Sequence, residues 1–105
     1  MREDPSTYPF WADEREGGLA RLGLAESFLE NLGDDPIAVE LASPGARIRP
    51  GETLGFIYTP EQPYELRAPR ALEIVAVNEA AETDARLVKA APYGRGWLLE
   101  IKWCQ

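Results

Sequence analysis

Few side chains in this chain can do covalent or proton-transfer chemistry. Its 105 residues include no histidine, one cysteine and only two lysines, Lys89 and Lys102, beside nine arginines. Without histidine it has neither the side chain that titrates nearest neutrality nor the commonest transition-metal ligand, which excludes histidine-based triads and zinc-protease sites. Cys104 alone closes no internal disulfide and builds no multi-thiolate metal site, so it reads as an incidental residue. Asp34 and Asp35 are adjacent carboxylates in a turn, which reads as a solvated loop, and no metal site is expected. Glu61 and Glu65 offer carboxylates, and Tyr58 and Tyr64 offer phenols, around a proline-bounded segment. General acid–base work needs a concave, desolvated setting that shifts a pKa, which a hairpin apex does not provide. No catalytic residue is assigned.

The elements that must position these groups are short. EGGLARLGL (16–24) is a glycine turn followed by an alternating strand. AESFLENLG (25–33) sets Phe28, Leu29 and Leu32 at helical spacing, with Gly33 as the stop. IAVEL (37–41) alternates Ile37, Val39 and Leu41 against Ala38 and Glu40, the pattern of a strand buried on one face. Residues 47–69 hold two extended runs around a tip. Centring that tip on Glu61 pairs Leu54 with Ala68, Phe56 with Leu66 and Tyr58 with Tyr64 on one apolar face, leaving Ile57 as an exception on the other. ALEIVAVN (71–78) is a further strand, with Leu72, Ile74 and Ala76 on one side. Residues 79–92 contain a short helical stretch capped by Thr83 or Asp84 and ended by Pro92. YGRGWLLEIKW (93–103) is a two-glycine turn feeding a last strand with Trp97, Leu99, Ile101 and Trp103 on one face. Many short strands and two short helices predict a mainly β sandwich or flattened barrel, one module over 8–105 behind a loose polar terminus at 1–7.

Charge and length narrow the function classes. Eighteen acidic residues against eleven basic ones give a net charge of -7, which repels a phosphate backbone, so no nucleic-acid partner is expected. No stretch approaches the roughly 20 apolar residues that span a bilayer. The start, MREDPSTYPF, also lacks the apolar core of a signal peptide, and the expected location is cytoplasmic, away from membranes.

From Tyr8 to Lys102 the sequence resembles the H protein family of the glycine cleavage system, small carriers whose lipoyl-lysine shuttles an aminomethyl group between partner enzymes. The most specific stretch is VNEAAETDARLVKAAPYGRGWLLEIK (77–102), which follows the family's V-N-E-A, L-V, P-Y-G-x-G-W-L and I-K pattern in order and spacing. GLARLGLAESFLENLGD (18–34), VEL (39–41) and Gly51-Glu52 support it. The resemblance implies the lipoyl/biotinyl hybrid-sandwich fold, with the modification site at an exposed hairpin. Gly94 and Gly96 are then expected to supply positive φ in a turn, and Trp97 to anchor the core, so that Trp97→Ala costs about 3–5 kcal/mol.

In that family the hairpin reads roughly E-S-V-K-A. Matching Gly51-Glu52 before it and Ala68-Pro69 after it sets Tyr58, Thr59, Pro60, Glu61 and Gln62 on that segment, with Glu61 where the lysine should stand. A carboxylate is not the amine nucleophile that attacks an activated lipoyl group. No lysine precedes Lys89, so sliding the register does not restore the site. Tyr58 stands in place of the family's acidic residue, and Pro60 and Pro63 fix φ on both sides of the tip. The implied function is a non-catalytic interaction or regulatory module without a cofactor, contacting glycine-cleavage or lipoate-handling enzymes. The alternative is a group carrier using Lys89, Lys102 or a noncovalent ligand. An independent enzyme has no nucleophile–base pair to support it.

Overall fold

The apolar alternations of the sequence become two antiparallel sheets in the computed structural model, which describes residues 7–104 and the backbone of residues 2 and 3. In chain order the strands are β1 (Arg2–Glu3), β2 (Phe10–Glu14), β3 (Leu19–Leu24), β4 (Ala38–Leu41), β5 (Arg47–Ile48), β6 (Thr53–Tyr58), β7 (Pro63–Arg67), β8 (Leu72–Val77) and β9 (Leu99–Trp103). The helices are α1 (Glu26–Glu30), α2 (Glu79–Thr83) and α3 (Leu87–Ala90). One sheet has the order β1-β2-β3-β9-β8-β5 and the other β4-β6-β7. Leu22, Leu24, Leu72, Ile74, Leu99 and Ile101 of the larger sheet and Leu54, Ile57 and Leu66 of the smaller are fully buried in one core, so the sheets meet face to face. The expected mainly β sandwich is therefore the observed architecture. The loose-terminus expectation for 1–7 falls largely on residues 1 and 4–6, which lie outside the described residues.

Three local expectations change. The helical stretch at 79–92 divides into α2 and α3, giving three short helices instead of two. Asn78 caps α2, its side-chain oxygen accepting from the Ala80 N–H at 3.1 Å, while the expected Asp84 stands ahead of α3, where its carboxylate accepts from the Arg86 N–H at 3.2 Å. Asn78 is buried, and its amide also donates to the carbonyls of Arg95 and Trp97 at 2.8 and 2.7 Å, tying α2 to the turn before β9. In β8 the pairing with β9 shifts between Ile74 and Ala76, so Val75 faces solvent and Val77, rather than Ala76, packs on the core. A bulge adds one residue to one strand and reverses the alternation beyond it.

The tryptophans exchange roles. Trp97 lies ahead of β9 and is half-buried outside the core, with the Arg21 guanidinium 4.3 Å from its ring centroid. Trp11 is the enclosed one, 1% exposed, with its Nε1 donating to the Pro92 carbonyl at 2.9 Å. Gly23 makes room for it, because a Cβ there would stand 2.4 Å from the indole. Gly94 and Gly96 are not in the left-handed region. Gly96 is required by close approach instead, since a Cβ would lie 2.0 Å from the Leu87 carbonyl oxygen.

Candidate functional site

The β6–β7 hairpin is built by a turn one residue tighter in register than the sequence spacing suggests. Tyr58 pairs with Pro63, Ile57 with Tyr64 and Phe56 with Glu65, while an irregularity between Thr53 and Gly55 takes up the difference at the far end. The connection is Thr59–Gln62, closed by the Thr59 N–H donating to the Gln62 carbonyl at 3.1 Å. Pro60 sits at the turn position where its fixed φ is favoured. Because a one-residue slip exchanges the two faces of a strand, Ile57 is buried and Phe56 and Tyr58 turn outward, the reverse of the expected face.

The apex is held from beneath. Thr59 is buried, and its hydroxyl donates to the Gln62 carbonyl at 3.0 Å and accepts from the Gln62 N–H at 3.2 Å. The Gln62 amide donates to the Tyr64 hydroxyl at 3.0 Å, which donates to the Leu32 carbonyl at 3.2 Å. The Tyr64 ring meets Phe28 of α1 edge-on at 6.2 Å, and Phe28 meets Tyr8 at 6.1 Å. A continuous seam therefore fastens the hairpin to the segment after α1. Pro60, Glu61, Gln62 and Pro63 are all exposed. Among the described residues Glu61 has no ion-pair partner.

Tyr58 and Glu65 are electrostatically perturbed. Partial desolvation, then the hydrogen bond to Glu40 at 3.1 Å and that carboxylate's charge, raise the Tyr58 phenol above its ordinary value. The Thr53 hydroxyl, donating to Glu65, is the main reason the Glu65 carboxyl lies below the usual range, with Arg67 at 3.0 Å contributing further. A carboxyl depressed in the fold contributes stability that is present above its unfolded pKa and lost as pH falls through the folded value. Thr53→Val should therefore raise the Glu65 midpoint toward the ordinary range in an NMR titration of the side-chain carboxyl. An unchanged midpoint would assign the depression to Arg67 alone.

The other chemistry-bearing groups lie elsewhere. Lys89, on α3, is half-buried and pairs with Asp35 at 3.4 Å. It lines an open cleft of about 460 Å³ with Asp35, Asp84, Arg86, Leu87 and Ala90. Arg86 pairs with Asp84 at 3.2 Å, so the charges of this cleft compensate one another. Lys102 is exposed near the end of β9, and Cys104 follows that strand. Asp34 does not converge with other ligands: among the described residues no three His, Cys, Asp or Glu side chains gather as a metal site.

The family model described as "Glycine cleavage H-protein" matches residues 2–105. The chain belongs to the glycine cleavage H-protein family. It is 40% identical over 87 residues to the glycine cleavage system H protein of Corynebacterium jeikeium (strain K411), covering 83% of this chain and 68% of that one. It is 39% identical over 87 residues to the H protein of Prochlorococcus marinus (strain MIT 9301), covering 83% and 67%. The crystal structure of the H protein from Mycobacterium marinum matches with a TM-score of 0.81 at 30% identity, over 95% of this chain and 80% of that one. The lipoyl-type sandwich expected from the family is thus the fold of this H-protein-family member. No helix among the described residues is long and apolar enough to cross a membrane.

Sequence reasoning missed the seam through Tyr64 and the outward turn of Phe56 and Tyr58. In TLGFIY the set Leu54, Phe56 and Tyr58 is the more apolar, so periodicity points to the wrong face for Phe56 and Tyr58. The Thr-Pro-Glu-Gln tetrapeptide was the available signal, since proline at the second position of a β-turn fixes the register.

Proposed function

We propose that this chain is a non-catalytic, cytoplasmic H-protein-like module that carries no lipoyl group and works by contacting glycine-cleavage or lipoate-handling enzymes. One observation carries the reading. Glu61 occupies the exposed centre of the hairpin turn, the place where the family presents its lysine, and the nearest lysine in sequence is Lys89 on α3. The residues present do not fit a lipoyl attachment. An amide to lipoic acid needs a presented amine, and the apex offers a carboxylate. Lys89 is engaged with Asp35, and Lys102 is held in a paired strand opposite Leu19 and Glu73. The retained sandwich, with its hairpin still displayed, supports a role in contact.

Protein purified from its own host, grown with lipoate, is expected to have the mass of the unmodified polypeptide. A lipoyl increment mapped to Lys89 or Lys102 would overturn the reading in favour of a group carrier. Co-purification of a glycine-cleavage or lipoate-handling enzyme from the same host supports the contact role, and capture of none of them counts against it.

A further inference from the structure

We propose that the solvent-facing side of the three-stranded sheet is a docking face for a protein partner presenting an apolar centre flanked by arginine or lysine. This rests on the contact reading above and gives the contact a place. With Val39, Ile57 and Leu66 turned into the core, the opposite side shows two rows of paired residues. Nearest the apex, Tyr58 lies between Ala38 and Pro63, and in the next row Phe56 lies between Glu40 and Glu65. The Phe56 and Tyr58 rings stack at 5.9 Å and 25°, forming an aromatic strip along the middle strand. At the sheet end the Ile37 N–H donates to the Tyr58 carbonyl at 2.8 Å, fixing the start of β4 beside this strip.

The rim decides the partner's charge. Arg67 is neutralised by Glu65 at 3.0 Å, whereas Glu40 and Glu61 have no cationic partner among the described residues. An apolar strip with an unbalanced acidic border suits arginine or lysine, and a guanidinium can also lie over the stacked rings. The Tyr58–Glu40 hydrogen bond and the prolines hold the face in shape before contact, which lowers the ordering cost of binding. The outer side of the six-stranded sheet is a poorer candidate. Its charges already pair, Arg21 with Glu100 at 2.9 Å and Arg15 with Asp13 at 3.3 Å, and a partner would have to break those pairs.

The test maps binding on the full ¹⁵N-labelled chain by NMR shift changes in two arms. One arm uses purified glycine-cleavage enzymes of the same host, one at a time. The other uses a short leucine- and phenylalanine-containing peptide flanked by arginines, beside a counterpart flanked by glutamates. The proposal expects shifts at 37–40 and 56–63, preference for the basic peptide, and about tenfold weaker binding after the combined E40K and E61K changes, which leave the core untouched. An enzyme that binds with shifts elsewhere, or with affinity indifferent to E40K and E61K, overturns the face and leaves the contact reading standing. If no enzyme binds but the basic peptide maps to these residues, the enzyme partners fall and the face stands. Binding by neither, or equal binding of both peptides without an enzyme on the face, overturns the docking face.

Discussion

Trp11→Ala should lower the unfolding free energy by about 3–5 kcal/mol, the range for removing a large ring from a packed interior. The indole is 1% exposed, packed over Gly23 and beside the Tyr93 ring at 5.6 Å, and its N–H satisfies the Pro92 carbonyl. Deletion therefore leaves a cavity above a glycine that has no side chain to fill it. It also releases the turn that leads to Trp97. Trp97→Ala, by contrast, should cost no more than about 1–1.5 kcal/mol. What it removes is partial burial and one cation–π contact with Arg21, a contact worth about 0.5–1 kcal/mol at an exposed site. Denaturant titrations followed by far-ultraviolet circular dichroism measure both. Equal losses from the two replacements would show that Trp97 is part of the core after all.

Glu61→Lys should remain a poor substrate for a lipoate ligase, labelled about 100-fold more slowly than an H protein with a native apex lysine, the scale on which a misplacement near 1 Å slows a reaction. The substitution restores an amine but not the surface around it. Tyr58 stays hydrogen-bonded to Glu40, Pro60 keeps its fixed φ, and the Thr59–Gln62 turn remains tied through Tyr64 to the Leu32 carbonyl. An apex held at so many points adapts little to an enzyme cleft. The measurement is the mass increment over time on peptides that span position 61 of the Glu61→Lys variant, with the unsubstituted chain as a blank. Labelling as fast as the native acceptor would leave Glu61 as the sole lesion in an otherwise intact carrier.

Both expectations depend on where a side chain points, and that is where reading from sequence succeeded unevenly. The strand at 19–24, the helix ending before Gly33 and the final strand through Leu99 and Ile101 were legible, because each carries a turn or stop residue beside an unambiguous apolar period. Ile37 was expected inside with Val39 but is exposed. It precedes the first paired residue of β4, at a sheet end that nothing among the described residues covers. Phe56 and Tyr58 in β6 and Ala76 and Val77 in β8 were assigned to the wrong faces, because the register of a turn and the place of a bulge leave no mark in the apolar alternation.

The chemical inventory is legible from the residues alone. A chain with no histidine, one cysteine and lysines only at 89 and 102 has no amine to present at 59–62 however it folds, and its P-Y-G-x-G-W-L run and neighbouring motifs already marked the H-protein resemblance. Which tryptophan is enclosed and which side of the hairpin the aromatics occupy emerge only when the strands pair and pack. Trp11 and Trp97 have the same side chain, and burial follows from what stands opposite: Gly23 for one, Arg21 for the other. Phe56 and Tyr58 face outward because the four-residue turn at Thr59–Gln62 sets the register, and in a strand a shift of one residue moves every side chain to the other face.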